Sequence, residues 1–256
     1  MSVKQKDFII NDHRFLPSGC AILTLKTVDG SELPACHPGQ FVQVQVDTPG
    51  VFLRRPISIC DIDNDGNLVL FIKPIGKGSR HLTEMKIGEK LNLVLPLGNG
   101  FSQGGHNVLL VGGGVGAAPL VYLAKNLCRD GVDVSVAIGG RTSNDVIGLE
   151  QIYGNVAQFV VSTDDGSMGE KGIITENSIF KNNFDRIYCC GPTPMMRAVA
   201  KIALDRNIWC EVSLENQMAC GLGACLCCVQ ETSDHGNVCV CTEGPVFNII
   251  RLESWI

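Results

Sequence analysis

The sequence predicts an antiparallel β-barrel followed by a doubly wound α/β domain and a small cysteine-rich C-terminal unit. Three observations carry this reading. Short apolar runs with period-two alternation, broken by Gly, Pro, Asn and Asp, fill the first hundred residues. From Asn107 the pattern changes to continuous apolar runs alternating with helical stretches, with glycine at the strand ends. Six of the thirteen cysteines then crowd between Cys220 and Cys241. The expected divisions are residues 1–103, 104–212 and 213–256.

A chain of 256 residues is long enough for two full-sized domains but not three. Apolar content of 45% against 18% charged residues supports sizeable cores and argues against disorder. A formal charge of −5 gives no electrostatic reason to expect nucleic acid or an anionic membrane as partner. No segment approaches the roughly 18 uncharged apolar residues of a spanning helix. The stretch from Met1 to Asp7 lacks the apolar core of a secretion signal, so a cytoplasmic location is expected. In that reducing setting Cys20, Cys36, Cys60 and Cys128 are expected as buried small hydrophobes rather than disulfide partners.

In the barrel, strands are expected over Cys20–Leu25, Phe41–Val46, Leu68–Lys73 and Lys90–Leu95, with a turn at Asp63–Asn67. Arg54-Arg55-Pro56-Ile57-Ser58 suits an extended anion-binding edge: Pro56 holds the chain extended and an arginine can fork onto a phosphate. Ser58 would offer a hydroxyl to a heteroaromatic ring. Gly76-Lys77-Gly78-Ser79 offers backbone N–H donors and a hydroxyl, suited to a pyrophosphate. Either motif alone also reads as a plain charged strand end or turn; together they point to a dinucleotide. Gly104-Gly105 marks the boundary, and Phe101 before it is either a flavin or adenine neighbour or a core plug.

In the second unit, strands are expected over Val108–Val111, Val132–Ile138, Gln158–Ser162 and, as the last, Arg186–Cys190, with a helix from Leu120 to about Arg129. The run from Gly112 to Pro119 contains G-x-G-x-x-A at Gly112, Gly114 and Ala117, with a strand before it and a helix after. Pyrophosphate would sit over that helix N-terminus. The usual acidic residue after the second strand is missing; Gly139-Gly140-Arg141 stands there, and Arg141 could meet phosphate instead. NAD and NADP are both left open. Cys190-Gly191-Pro192 follows a strand's carboxyl end, where open α/β sheets bind ligands.

Cys220, Cys225 and Cys228 have the tight spacing of an iron–sulfur loop, and Gly221 and Gly223 let backbone amides approach sulfides. Cys239 and Cys241 are the candidates to complete the set. Zinc on Cys225, Cys228, Cys239 and Cys241 would leave Cys220 and the glycines unexplained.

Arg55-Pro56-x-Ser58, Gly76-x-Gly78-Ser79, the glycine run at 112–116 and Cys190-Gly191-Pro192 together resemble the ferredoxin–NADP reductase superfamily. The stretch Ser213-Leu214-Glu215-Asn216-x-Met218-Ala219-Cys220-Gly221-x-Gly223-Ala224-Cys225-x-x-Cys228, with Cys241-x-Glu243-Gly244-Pro245-Val246-Phe247, narrows the likeness. It resembles the electron transfer subunits of dihydroorotate dehydrogenase B, a pyrimidine-synthesis enzyme, from about residue 5 to the end. The resemblance implies FAD contacts from Arg55, Pro56, Ile57, Ser58, Phe71, Ile72, Lys73, Gly78 and Ser79, where the family usually carries threonine at the last. It implies NAD+ as co-substrate, with Gly112, Gly114, Gly116 and Cys190 at the nucleotide sites. It also implies a 2Fe–2S cluster on Cys220, Cys225, Cys228 and Cys241. The last is selected over Cys239 because it directly precedes the acidic-Gly-Pro-Val-Phe tail, which leaves Cys227 and Cys239 as departures. Electrons would come from the FMN of a separate catalytic subunit, two copies of each subunit forming the complex. They would pass the cluster and FAD to NAD+, with no general acid or base in this chain. The alternative is the FAD and 2Fe–2S diaphorase subunit of another complex, of the ferredoxin-dependent transhydrogenase or sulfhydrogenase type. Glu215 is expected near the flavin, and Leu222, Leu226 and Val246 are candidates for a docking face or for core.

Overall fold

The computed structural model describes residues 3–256; Met1 and Ser2, at the start of the expected first domain, lie outside the described residues. Six strands close a barrel: β1 (Lys4–Phe15), β2 (Ala21–Thr27), β3 (Phe41–Val44), β4 (Arg55–Ile62), β5 (Leu68–Ile72) and β6 (Lys90–Leu97), in the order β1-β2-β5-β4-β3-β6. All neighbours are antiparallel, and closure leaves no sheet edge unpaired. Phe8, Leu23, Val42, Leu70 and Leu93 fill the interior. The four strands expected from alternation are present. β1 was not expected, because its twelve residues are mostly charged and polar and only Phe8 and Ile10 are buried. The Gly76–Ser79 segment, expected as a pyrophosphate cradle, opens a helix, α1 (Lys77–Glu84).

The second half runs β7 (Asn107–Gly113), a 3₁₀ turn at Gly114–Ala117, α2 (Ala118–Arg129), β8 (Asp133–Gly140), α3 (Ser143–Val146), α4 (Glu150–Tyr153), β9 (Gln158–Thr163), β10 (Glu170–Lys171), β11 (Arg186–Cys190), α5 (Thr193–Asp205) and β12 (Trp209–Ser213). With β15 (Val246–Asn248) they form one seven-stranded sheet, β10-β9-β8-β7-β11-β12-β15. All pairs are parallel except β12 with β15. β11 is therefore not the last strand. β12 escaped notice because Glu211 and Ser213, both buried, interrupt its apolar run; the Glu211 carboxylate accepts the Ser102 N–H at 2.9 Å. From β7 the chain proceeds one way through β8 and β9, then returns to the other side at β11. This puts the topological switch point between β7 and β11.

α2 packs on β4, and Lys125 on α2 forms an ion pair with the buried Asp61 of β4, tying barrel to sheet. Phe101 is a core plug: it is 5% exposed and meets Tyr188 edge-on, with ring centroids 5.7 Å apart. All thirteen cysteines are free thiols. Cys20 and Cys60 are buried as expected, Cys36 and Cys128 half-buried, and burial pushes the Cys60 thiol up to about 12. Among the described residues no helix is long and apolar enough to cross a membrane.

After β12 comes the cysteine loop, then a hairpin of β13 (Val229–Thr232) and β14 (Gly236–Cys239), then α6 (Val240–Glu243) and β15. The Gly244-Pro245-Val246-Phe247 tail is wedged between barrel and sheet. Asn99, just past β6, donates its backbone N–H to the Gly244 carbonyl at 2.6 Å and its side-chain N–H groups to the Thr242 and Glu243 carbonyls at 3.0 and 3.1 Å. On the other side the Leu214 N–H donates to the Pro245 carbonyl at 2.9 Å. Val246 is core, packed into this wedge, and drops out of the candidate docking face; Leu222 and Leu226 are exposed.

Candidate functional site

The two arginines before Pro56 divide the work. Arg54 is a barrel brace: its guanidinium donates to the Gln43 and Asn92 carbonyls at 3.2 and 3.0 Å and to the Gln45 and Asn92 side-chain oxygens at 3.2 and 2.6 Å. Arg55 donates only to the backbone carbonyls of Leu53 and Arg54. It lines a cavity of about 190 Å³ together with Pro56, Ile57, Ser58, Phe71, Lys73 and Ser79 from the barrel and Gly116 and Cys190 from the sheet. Nine of the expected cofactor contacts thus converge on one space.

Three others lie outside both cavities. Ile72 faces the barrel interior, since side chains along β5 alternate and its neighbours Phe71 and Lys73 take the cavity side. Gly112 is a close-packing position, where a Cβ would sit 2.8 Å from the Ile138 side chain and 3.1 Å from Ala117 Cα. Gly78 packs under Arg55: a Cβ there would lie 2.7 Å from the guanidinium Nε. Ser79 stabilises its own turn, its hydroxyl accepting the Ile75 and Gly76 N–H groups at 2.9 Å each.

Gly78 therefore yields a specific expectation. Gly78→Ala should leave the helix intact, because alanine is the better helix former, but it should push the flexible Arg55 aside. A lost charge-assisted contact predicts FAD retention about ten- to a hundredfold weaker with an unchanged melting temperature, measured by flavin fluorescence titration and thermal denaturation.

A second, larger cavity of about 570 Å³ opens at the carboxyl ends of β7, β8 and β11, lined by Gly113, Gly114, Gly139, Gly140, Gly191 and Pro192. It straddles the switch point, where a dinucleotide is expected to lie. Gly114 adopts φ +56° with open space around it, bringing bare backbone to the cavity wall. Arg141 reaches this cavity, and so do Asp145 and Asp164. Asp145 accepts the Arg141 and Thr142 N–H groups at 3.1 and 3.2 Å. Asp145 and Asp164, the carboxylates that line this cavity, thus stand further along the chain than the position at which the spacing rule looks for one.

The two cavities share a wall of Lys73, Ile75, Val115 and Glu215. Ile75 is 70% exposed, an apolar side chain turned to both spaces, and sequence reasoning missed it. Burial pushes the Glu215 carboxyl up, against the pull of Lys73. Burial first, then the Glu215 charge, pushes the Cys190 thiol up and keeps it neutral.

The cysteine loop is shaped by three left-handed residues, Gly221 (φ +71°), Gly223 (φ +79°) and Leu226 (φ +56°). Its amides turn toward sulfur. Leu222 N–H donates to Cys220 Sγ at 3.3 Å, Gly223 N–H to Cys241 Sγ at 3.2 Å and Cys241 N–H to Cys228 Sγ at 3.4 Å. The Leu222 amide, followed by contacts from Cys225 and Ala224, lowers the Cys220 thiol to about 6. Cys241 is 1% exposed, and burial raises its thiol to about 12. Cys225 and Cys227 are exposed, Cys228 is buried and Cys239 is half-buried. Among the described residues no group of three or more His, Cys, Asp or Glu side chains is drawn together tightly enough to hold a metal ion. The donor set nonetheless fits an iron–sulfur cluster: three thiols on a glycine-bent loop and a fourth on α6, with N–H groups aimed at three of the four, provide for a cluster's negative sulfur.

Residues 215–253 match the iron–sulfur cluster binding domain of dihydroorotate dehydrogenase B, and residues 110–201 the oxidoreductase NAD-binding domain. A dihydroorotate dehydrogenase B (NAD(+)) electron transfer subunit from Clostridium perfringens is 37% identical over 220 residues, 85% of this chain and 87% of the relative. The chain belongs to the family of dihydroorotate dehydrogenase B electron transfer subunits. Another electron transfer subunit of this family, from a Geobacillus species, is 37% identical over 96% of this chain and 97% of its own. Among solved structures, an NADH-dependent reduced ferredoxin–NADP oxidoreductase studied for flavin-based electron bifurcation superposes with a TM-score of 0.83 at 29% identity, covering 96% of this chain and 89% of its own. Phthalate dioxygenase reductase shares the fold, with a TM-score of 0.64 at 21% identity over 77% of this chain and 64% of its own.

Proposed function

We propose that this chain carries electrons from a separate dihydroorotate-oxidising FMN subunit to NAD+, in a complex with two copies of each subunit, in the cytoplasm. The observation that carries the reading is the shared wall. The cavity proposed for FAD and the cavity proposed for NAD+ meet at Lys73, Ile75, Val115 and Glu215, so two stacked ring systems can be held in contact there.

When bound, the 2Fe–2S cluster takes up and releases single electrons, and FAD joins that one-electron traffic to hydride exchange with NAD+. The chain supplies placement. In this proposal Arg55 and the start of α1 receive the flavin diphosphate, Pro56, Ile57 and Ser58 present the ring edge, and Phe71 and Lys73 back it. Gly114 lets the nicotinamide nucleotide approach the backbone, while Gly116 and Cys190 close the flavin side, Cys190 as a neutral, apolar wall that excludes water. Cys220, Cys225, Cys228 and Cys241 hold the cluster at the chain's outer end. Residues 1–103, 104–212 and 213–256 are the corresponding FAD, NAD and cluster units.

Co-expression with an FMN-containing dihydroorotate dehydrogenase subunit tests the partner. The expected result is a stable complex with the flavin and 2Fe–2S absorbance of this chain and dihydroorotate-dependent NAD+ reduction. Failure to associate, with tight binding to a ferredoxin-linked or sulfur-linked oxidoreductase instead, would transfer the assignment to a diaphorase of another complex.

A further inference from the structure

The barrel face that carries Pro56 and Ser58 continues beneath the cysteine loop. On β3, Gln43 is the register partner of Pro56, and Phe41 that of Ser58. Directly opposed residues on antiparallel strands stand on one face, with Cβ atoms about 4.5–5.5 Å apart. Val42 and Val44 point into the barrel interior, so Gln43 points outward, one strand over from the residues that line the proposed flavin cavity.

Gly221 covers it. A Cβ at Gly221 would lie 2.8 Å from Gln43 Nε2 and 2.9 Å from its Cγ, so the loop backbone rests on the glutamine side chain. Gln43 is completely buried, yet neither its Nε2 nor its Oε1 has a hydrogen-bond partner. A buried polar group left unpaired is destabilising, and such atoms are few in folded proteins. Arg54 does not relieve it, because that guanidinium takes the backbone carbonyl of Gln43. The neighbouring Gln40, by contrast, donates from its amide to the Gly98 carbonyl at 2.7 Å and accepts the His37 N–H at 2.7 Å.

We propose that the Gln43 side-chain amide is a hydrogen-bond donor to the sulfur shell of the 2Fe–2S cluster, a positioning residue between the cluster loop and the flavin face. The inference rests on the reading of Cys220, Cys225, Cys228 and Cys241 as a cluster site. It adds a ligand-facing donor from the barrel, a part of the chain that contributes no cysteine to the site. A donor to cluster sulfur favours the reduced, more negative form and so raises the reduction potential.

The test uses the full chain, purified anaerobically, with redox titration and electron paramagnetic resonance of the reduced cluster. Gln43→Leu keeps the volume and removes the donor. It should retain iron and FAD while the cluster potential moves negative and the g-values shift. Wild-type potential and g-values in a fully loaded Gln43→Leu protein would overturn the proposal. Gln43→Met, unbranched and without any N–H, covers the case in which the leucine variant does not fold; its potential should fall as well, and an unchanged one is equally fatal. A wild-type chain that never shows a 2Fe–2S signal would remove the cluster reading itself, and this inference with it.

Discussion

Cys241→Ser is expected to abolish the iron–sulfur cluster, and Cys239→Ser to leave it in place. The two cysteines are two residues apart but stand in different surroundings. Cys241 is buried on α6, its sulfur accepts the Gly223 N–H from the far side of the loop, and its own N–H donates to Cys228 Sγ. Its position is fixed by the tail that Asn99 grips through three carbonyl contacts. Cys239 ends β14, half-buried, and its sulfur is 3.9 Å from the Gly223 carbonyl, an oxygen that repels cluster sulfur rather than supporting it. Iron and acid-labile sulfide per chain, with the paramagnetic signal of the reduced protein, read the outcome. Iron in Cys241→Ser should fall to about a tenth of wild type or less. Loss confined to Cys239→Ser would reverse the assignment of the fourth ligand.

Gly116→Ala should damage both proposed dinucleotide sites at once. A Cβ there would stand 2.3 Å from the Cys190 carbonyl oxygen and 2.6 Å from the Cys190 carbonyl carbon and the Gly191 Cα. These are backbone atoms at the end of a central strand, so no side chain can swing away. Either the 3₁₀ turn or the end of β11 must move. Overpacking of this kind costs about 1–3 kcal/mol or more, which predicts a melting temperature lower by about 5 °C. Cys190 lines the cavity proposed for FAD and Gly191 the cavity proposed for NAD+, so FAD content and NADH oxidation by an artificial electron acceptor should fall together. A variant with normal flavin content and normal NADH oxidation would show that this contact does not shape the sites.

How much of this was legible beforehand follows from what each signal depends on. Alternation revealed Phe41–Val44 and Leu68–Ile72 because every second side chain of each lines the barrel interior, although the opposite face is largely covered as well. It failed for Lys4–Phe15, whose length comes from pairing with two neighbouring strands rather than from apolar content. The glycine run and Cys190-Gly191-Pro192 were legible because close packing restricts residue type: a Cβ at Gly112, Gly116 or Gly191 would stand 2.8, 2.3 or 2.6 Å from a neighbouring atom. α1 was hidden by Gly76 at its N-cap and Gly78 within it, the second of which leaves room for Arg55. Arg54 and Arg55 look equivalent in sequence and separate only when the partners of each are visible. Ile75 and Gln43 owe their placement to chain segments far away in sequence, and no local pattern encodes that.

The tail has a consequence for how such proteins can be assembled from parts. The cysteine loop looks like a detachable cassette appended to a reductase. Yet β15 completes the sheet beside β12, and Asn99 of the barrel holds the turn that carries Cys241. Residues 213–256 cannot be transplanted onto another flavin and nucleotide scaffold by joining one linker. The recipient would need the open sheet edge and the barrel-end clasp as well, so cassette and chassis must be inherited, or engineered, together.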